Sequence, residues 1–207
     1  MCSADAARER KIIMGRKRST KAEIVKVAWK LFNEKGYEET TIDEIIAGSN
    51  TSKGSFYHYF NSKDELLSSL SELFDVKYEE EMANLDPEMN SYDKLLYLCY
   101  CVHDMIQDEV PVGLLASLYA SQVVTKGSKH LLDQNRYYYR IVNQLVDEGQ
   151  RRGQITRDLP YYEVTRLYVL AERALIYDYC ISDGSYSLEE NTKKMMPLLF
   201  GGVKTAE

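Results

Sequence analysis

The sequence predicts an all-α protein. Four Ser/Thr-x-x-Glu segments fit the capping box, in which a hydroxyl group and a carboxylate satisfy exposed backbone donors at a helix start; they begin at Thr20, Thr41, Ser62 and Ser187. Apolar residues recur at the three- and four-residue spacing of a helix face, whereas the alternation typical of strands is almost absent. Hydrophobic residues make up 44% of the 207 residues, which is enough for a real core.

The first helix is predicted over residues 21–35. Ile24, Ala28 and Phe32 are spaced so that they fall on one face, which we expect to be buried. Gly36 follows at once and can adopt the left-handed conformation that ends many helices. A helix start, an apolar face and a stop signal therefore agree with one another in this segment.

Two short helices follow. The first begins after Thr41, and Asn50 is expected in the tight turn after it, since asparagine tolerates a positive φ better than other non-glycine residues. The second is predicted over 52–60, with Phe56 and Phe60 buried because they are four residues apart.

A fourth helix is predicted from Ser62 to about residue 82. Beyond Pro87 the breaks fall at Pro111, at Lys126-Gly127, at Gly153 and Pro160, and at Asp183-Gly184. They predict further helices at about 91–109, 112–124, 128–152, 160–182 and 187–201.

Two short helices joined by a three-residue turn have the spacing of a helix-turn-helix, whose second helix enters a major groove. Lys53 and Ser55 lie in the first turn of that helix, where side chains and free N–H groups can meet phosphates and base edges. Gly54 permits close backbone approach. The aromatic residues with polar tips, which can donate to phosphate or pack on a thymine methyl, are Tyr57, His58 and Tyr59.

The segments 36–45 and 51–67 closely resemble the N-terminal domain of the TetR family of transcriptional regulators. The resemblance covers about residues 20–67; beyond it only the helix order and the stretch 149–155 are similar. It implies a three-helix DNA-binding domain followed by a helical ligand-binding and dimerisation domain. Asn50 departs from the common turn glycine of the family. The residues that the resemblance implies in DNA contact are Thr41, Lys53, Gly54, Ser55, Tyr57, His58, Tyr59 and Lys63.

The net charge changes sign close to the end of the region that resembles the TetR family. Residues 1–63 carry 12 basic and 8 acidic residues, a net of +4, and the remainder carries 14 and 24, a net of −10. A basic head suggests a polyanion partner. We therefore predict a flexible basic arm at 1–18, a helix-turn-helix DNA-binding domain at 19–63 and an effector-binding and dimerisation domain at 64–207. Residues 16–18 of the arm favour phosphate or minor-groove contact.

Most of the 17 tyrosines lie in the C-terminal part. Any single tyrosine is more often a packing residue, but the set suits an apolar pocket with a few polar groups, and TetR-like proteins hold an effector in such a pocket. From helix position alone, the candidate effector-binding residues are Tyr100, His103, Tyr119, Tyr138, Tyr168 and Glu172.

The predicted helix 160–182 carries a stripe of apolar and small residues. The stripe suits either the core of one chain or, as the family resemblance implies, a homodimer interface. Two recognition helices must be related by the two-fold axis of such a dimer to read a palindromic DNA site. Its residues are Val164, Leu167, Ala171, Ala174 and Leu175.

Cys99, Cys101 and His103 invite a metal interpretation. Cys99 and His103 share a helix face, but Cys101 is rotated by about 200°, so a zinc site would need ligands from elsewhere. Buried thiols are the favoured interpretation, and we predict no metal and no cofactor.

The predicted function is a DNA-binding transcriptional regulator, a repressor released from double-stranded operator DNA by a small-molecule effector. The alternative is a helical small-molecule-binding or enzymatic bundle whose helix-turn-helix is incidental. The sequence contains no phosphate loop, nucleophile elbow or HExxH motif, so no such motif favours an enzyme. No apolar run reaches a membrane span and no signal segment is apparent, which predicts a cytoplasmic protein without membrane contact.

Overall fold

A computed structural model of the chain describes residues 20–124 and 129–205. In these residues, every secondary-structure element longer than an isolated bridge is a helix. The predicted arm at 1–18 and the predicted break at Lys126-Gly127 lie outside the described residues. The chain divides into two compact units, an N-terminal unit of residues 1–69 and a C-terminal unit of residues 70–207.

The helices of the N-terminal unit begin and end close to where the sequence predicts. Gly36 (φ 87°) and Asn50 (φ 49°) are both left-handed, which confirms the predicted helix stop and turn. Thr41 forms the predicted capping box with Glu44. The helices are α1 (20–35), α2 (Ile42–Gly48), α3 (Lys53–Tyr59) and α4 (Lys63–Leu67), and α5 (Ser69–Asn84) begins at the last residue of the unit.

The prediction of a single helix from Ser62 to about residue 82 is wrong in one respect. The structure divides this segment at Ser68 into α4 and α5. The Oγ of Ser68 donates to the carbonyl of Asp64 at 3.0 Å, and Ser69 Oγ donates to that of Leu66 at 2.6 Å. Serine side chains that bond to the preceding turn compete with the helical hydrogen bonds and bend helices. The Ser68-Ser69 pair therefore accounts for the interruption.

The core of the N-terminal unit comes from one face of each helix. Apolar side chains of α1 to α4 meet there with at most 3% exposure, and burial of each Ile, Leu or Phe contributes about 1.5–3 kcal/mol. They are Ile24, Ala28, Phe32, Ile45, Phe56, Phe60, Leu66 and Leu67.

The C-terminal unit is built from longer helices that pack on one another. The predicted helix at 128–152 starts later than expected, after a 3-10 turn at His130–Leu132. The carboxylate of Asp133 accepts from the backbone N–H of Asn135 at 2.9 Å, a local turn that delays the helix. The helices are α6 (Ser91–Glu109), α7 (Val112–Val124), α8 (Tyr137–Arg151), α9 (Tyr161–Ile181) and α10 (Leu188–Phe200).

The stretch 149–155 makes the tight turn that ends α8. The carbonyl of Gly149 accepts from the N–H groups of Gln154 and Ile155 at 2.8 and 3.2 Å. The side-chain oxygen of Gln154 accepts from the N–H of Ser91 at 2.8 Å, at the start of α6. An added Cβ at Gly149 would lie 2.6 Å from Ile155 Cδ1, so a larger residue there would force the Ile155 side chain or the turn to shift.

The predicted stripe on α9 is divided between core and surface. Val164, Ala171 and Leu175 are buried within the C-terminal unit, whereas Leu167 is half-buried and Ala174 is exposed. Ala174 belongs to an exposed row on α9, and residues of α10, which packs against α9, are exposed too. These exposed residues are Leu170, Ala174, Tyr177, Ile181, Met195, Leu198 and Leu199. In residues 20–124 and 129–205, no helix combines the length and apolarity needed to cross a membrane.

Candidate functional site

The turn between α2 and α3 is closed by hydroxyl groups and by one left-handed residue. Ser49 is buried, and its Oγ donates to the carbonyl of Ile45 at 2.7 Å. Asn50 follows in the left-handed conformation. Ser52 then caps α3 by accepting from the N–H of Ser55 at 3.1 Å. These local bonds fix where α2 ends and where α3 begins.

α3 has one buried and one exposed face. Phe56 and Phe60 are 0% and 3% exposed and attach the helix to the core, as predicted, whereas Tyr57 is 45% exposed. Of the predicted DNA-contacting residues of α3, two are half-buried, Ser55 and Tyr59, and four are exposed: Lys53, Gly54, Tyr57 and His58.

Among the described residues, none makes a strong contact with the exposed face of α3. Lys53 Nζ lies 3.5 Å from a carboxylate oxygen of Asp43, and both side chains are largely exposed. Such a pair contributes about 0–1 kcal/mol, so Lys53 can exchange it for a phosphate. At Gly54 an added Cβ would meet only Ser52 Oγ, at 3.9 Å, so packing inside the unit does not require glycine there. The exposed face of α3 therefore combines a cation, aromatic rings with polar tips and a position without a side chain. This combination suits the major groove of DNA.

The N-terminus of α2 is a closed capping box. The N–H of Glu44 donates to Thr41 Oγ1 at 3.3 Å, and the N–H of Thr41 donates to the Glu44 carboxylate at 2.9 Å. Lys35 donates to the same carboxylate. The bond from Lys35, followed by those from Thr41, lowers the pKa of Glu44 to about 2. Thr41 is exposed, and its predicted phosphate contact stays a prediction.

Lys63 is bound to the loop between α1 and α2. Its Nζ donates to the carbonyl oxygens of Tyr37, Glu38 and Thr40 at 2.7, 3.3 and 3.1 Å, and lies 4.2 Å from the centre of the Tyr37 ring. An ammonium group has three N–H donors, so all three are used inside the protein. The predicted phosphate contact of Lys63 stays a prediction. In addition, Lys63 clamps this loop.

The positive charge of the N-terminal part precedes α1. Residues 1–19 contain 6 basic and 2 acidic residues, whereas residues 20–63 contain 6 of each. The whole excess of +4, including residues 16–18, therefore lies outside the described residues. Residues 20–63 therefore carry no net charge of their own.

In the C-terminal unit, side chains from α5 to α9 surround a cavity of about 40 Å³. Its apolar wall includes Phe74, Val102, Ile106 and Ile176. Tyr78, Arg136 and Arg173 add polar groups, and the predicted effector residues Tyr119, Tyr138 and Glu172 also line it. A space of this size holds about two or three water molecules.

The other predicted effector residues do not line this cavity. His103 is buried beside it, with Nε2 3.8 Å from a carboxylate oxygen of Glu172. Tyr168 is fully buried, and its OH donates to the carbonyl of Leu95 at 2.9 Å. Tyr100 is half-buried on α6. His103 and Tyr168 are therefore behind the cavity wall, and Tyr100 is apart from it.

Glu172 is the central polar group of the cavity. It is 5% exposed, and the phenol groups of Tyr78 and Tyr138 each donate to one of its carboxylate oxygens. Burial raises the pKa of Glu172, although both phenol bonds and Arg173 oppose that shift. Burial also lowers the pKa of His103 to about 3, so its ring is neutral. The site therefore holds one carboxyl group and one neutral imidazole in apolar surroundings.

The N-terminal unit matches a known protein family. Residues 24–70 match the family model of bacterial regulatory proteins of the tetR family. The match spans α2, α3 and the turn between them, together with most of α1. The N-terminal unit therefore matches the DNA-binding domain of the tetR family.

Relatives and solved structures agree with this assignment. The transcriptional repressor KstR2 of Mycobacterium tuberculosis is 24% identical over 155 residues, which are 72% of this chain and 78% of KstR2. FadR of Bacillus subtilis, solved with stearoyl-CoA, has a TM-score of 0.70 and 18% identity over 88% of this chain and 98% of its own. FadR of Thermus thermophilus, solved with lauroyl-CoA, has a TM-score of 0.70 and 20% identity, covering 90% of this chain and 96% of its own. The chain therefore shares the FadR fold along most of its length.

Sequence reasoning missed three polar residues around the cavity: Tyr78, Arg136 and Arg173. Arg136 donates to the carboxylate of Asp75 at 2.8 and 3.0 Å, which holds the start of α8 against α5. Tyr78 had a usable signal, because it follows Phe74 by one helical turn on a buried face. The arginines had none, because charged residues are normally exposed.

Proposed function

We propose that this chain is a cytoplasmic TetR-family transcriptional repressor that binds operator DNA as a homodimer and is released by a small-molecule effector. The single observation that carries the proposal is α3. Its buried face is fixed by Phe56 and Phe60, and its opposite face leaves Lys53, Gly54 and Tyr57 free for a major groove. KstR2 is named a transcriptional repressor, which supports the same role for this chain.

The homodimer is supported by the exposed apolar row on α9 and α10. Leu170, Tyr177 and Leu198 are 51%, 57% and 75% exposed on the C-terminal unit. Large apolar side chains grouped in one region of a surface are typical of a protein interface. A second copy with the same row gives a two-fold pairing, and two recognition helices then read a palindrome.

The effector is supported by the cavity around Glu172. Its apolar wall suits an apolar or aromatic body, and Glu172, Arg173 and the tyrosines offer polar anchors. A volume of about 40 Å³ is well below the ~300–1,000 Å³ of ligand pockets, so the helices must separate to admit one. Two FadR structures contain acyl-CoA molecules, and an acyl-CoA would demand the same opening here.

The DNA-binding part is tested by gel shift on the DNA upstream of the protein's own gene. We expect affinity to fall steeply with salt, because neutralised phosphates release counterions. Tyr57→Ala should weaken the specific site more than random DNA, whereas Tyr97→Ala, a tyrosine on α6 with similar exposure, should change neither. Equal losses on both DNAs for Tyr57→Ala would remove its base-reading role, and an absence of binding by the unaltered protein would defeat the proposal.

The effector part is tested by calorimetric titration with and without operator. An effector that releases DNA must bind more weakly when operator is present, by the same factor by which it weakens the operator complex, ~5–150-fold. A thermal-shift screen finds the compound, because any ligand of the folded state raises the unfolding temperature. Equal effector affinities in the two titrations would show that the compound is bound but does not regulate.

A further inference from the structure

Three side chains that can bind a metal ion meet in the C-terminal unit. Cys99 and His103 are one turn apart on α6, and Glu172 reaches them from α9. Their ligand atoms all lie within 4.8 Å of one another, and all three residues are buried. His103 Nε2 is 3.9 Å from Cys99 Sγ and 3.8 Å from Glu172 Oε1. The described residues contain no other such group of three.

His103 presents a lone pair to the other two groups. Thr192 Oγ1 lies 2.7 Å from His103 Nδ1 and donates its own proton to the carbonyl of Leu188 at 2.7 Å. A hydroxyl group has a single proton, so Thr192 accepts its second hydrogen bond from Nδ1–H. Nε2 of the neutral ring is then unprotonated and faces Cys99 and Glu172. A hydrogen bond that fixes the tautomer through the other ring nitrogen is typical of metal-binding histidines.

The distances suit a metal better than a direct hydrogen bond. An N···O separation of 3.8 Å is too long for a hydrogen bond between His103 and Glu172. Zinc bonds of about 2.0–2.3 Å in a tetrahedral site put ligand atoms about 3.3–3.7 Å apart. The separations from His103 to Cys99 and to Glu172 exceed this by a few tenths of an ångström, and the separation between Cys99 and Glu172 is at most 4.8 Å, so side-chain rotations must bring the three ligands together.

Charge and hydrogen bonding also suit a divalent cation. A thiolate and a carboxylate carry two negative charges, which one divalent ion neutralises in this buried place. Each carboxylate oxygen has two lone pairs, so Glu172 can keep its bonds from Tyr78 and Tyr138 while binding an ion. The two phenol groups then hold the ligand in place.

We propose that Cys99, His103 and Glu172 bind a divalent transition-metal ion, with Zn²⁺ the best match to one sulfur, one nitrogen and one oxygen donor. Three protein ligands leave a fourth position for water or for a ligand atom. The ion would join α6 to α9 and, through Thr192, would depend on α10. This site goes beyond the proposed repressor function, since DNA binding by α3 does not require it.

The proposal is tested first on the full unaltered chain, freed of metal with a chelator. We expect calorimetry to show one Zn²⁺ bound per chain, with a higher unfolding temperature in excess Zn²⁺. Co²⁺ should give the near-ultraviolet absorption band of a thiolate–cobalt bond. No binding, or Co²⁺ binding without that band, overturns the proposal whatever the variants do.

Variants then locate the site. Cys99→Ala should abolish the cobalt band; Cys99→Ser, which keeps the side-chain volume, serves if the alanine variant does not fold. Cys101→Ala is the matched control, because Cys101 lies on another side of α6 and is half-buried, and it should keep the band. Thr192→Val keeps all three ligands but removes the partner of Nδ1, and should weaken Zn²⁺ binding about 10–100-fold.

A band that survives in Cys99→Ala and disappears in Cys101→Ala would place the metal elsewhere and overturn the assignment. Thermal unfolding in the absence of metal shows which variants are folded. The titrations contain no DNA, so a failure here leaves the repressor proposal standing, and a failure to bind operator leaves the metal site standing.

Discussion

Among single residues, Lys63 has a contact that the sequence did not predict. The family resemblance implies a phosphate contact, and the structure shows its three donors on the carbonyls of the loop at 37–40. Local rules predicted Gly36, Thr41 and Asn50 correctly, because the conformation of each depends on adjacent residues. The clamp made by Lys63 joins residues far apart in sequence, and no local pattern reveals it.

Lys63→Ala is expected to destabilise the N-terminal unit. Hydrogen bonds from charged groups contribute about 1.5–3 kcal/mol, and three carbonyl groups lose their donor. The matched control is Lys53→Ala, whose exposed pair with Asp43 contributes about 0–1 kcal/mol. Urea unfolding should therefore separate the two variants, although both should bind DNA less well. Equal stabilities would mean that the clamp does not stabilise the loop.

Glu44 predicts a dependence of stability on pH. Its folded-state pKa, about 2, is below its ordinary value of 4.5, because Lys35 and Thr41 bind the carboxylate. Its contribution to stability is therefore complete above about pH 4.5 and is lost as the pH falls towards 2. Glu44→Gln keeps a side chain that can cap α2 but loses the charge. The unfolding temperatures of this variant and the unaltered protein should differ at pH 7 and converge near pH 2; a constant difference would contradict the assignment.

Among the helices, the starts are predicted better than the interruptions. Capping residues at Thr41, Ser62 and Ser187 identify the starts of α2, α4 and α10 because each satisfies nearby N–H groups. The interruption at Ser68 and the late start of α8 were missed. At both places a polar side chain forms a hydrogen bond with the backbone that competes with the helical hydrogen bonds. The spacing of apolar residues is unchanged there, so it does not reveal the interruption.

Gly149 tests the turn at the end of α8. In Gly149→Ala the new methyl would lie 2.6 and 2.9 Å from the Ile155 side chain and 3.2 Å from Ser91 Cβ, so the buried turn must shift. Overpacking of this kind costs about 1–3 kcal/mol. Gly113→Ala on α7 is the control, since its Cβ would meet nothing within 4 Å, and stability should stay the same or rise slightly. Thermal unfolding measures both, and an unchanged Gly149→Ala protein would show that the turn is not tightly packed.

For the whole molecule, the sequence predicted the all-helical fold, and it anticipated the geometry around α2 and α3 better than that of the cavity. The predicted DNA-contacting residues lie within 41–63, where a single stretch of chain sets the local geometry. The cavity draws on five helices, and only Tyr119, Tyr138 and Glu172 among the predicted residues line it. Which tyrosines of a helical bundle meet depends on packing between distant segments, so helix position alone could not distinguish Tyr138 from Tyr100.

Assembly is a property of the whole molecule and has its own test. Leu170→Arg places a charge in the exposed row on α9, and should turn the dimer into a monomer because an unpaired buried charge is costly. Val76→Arg on α5 is the control, as Val76 is 50% exposed and Leu170 is 51% exposed. Light scattering gives the mass of each variant. A dimeric Leu170→Arg protein, or a monomeric Val76→Arg protein, would move the interface away from α9 and α10.

The carboxyl group of Glu172 borders the cavity and also lies beside His103. An effector and a metal ion that use the same lone pair of this carboxylate cannot both be bound. Their concentrations would then enter the response as a ratio, since a rise in one signal cancels an equal rise in the other. A gene controlled in this way answers to the balance between two conditions in the cell, and its output stays constant when both change together.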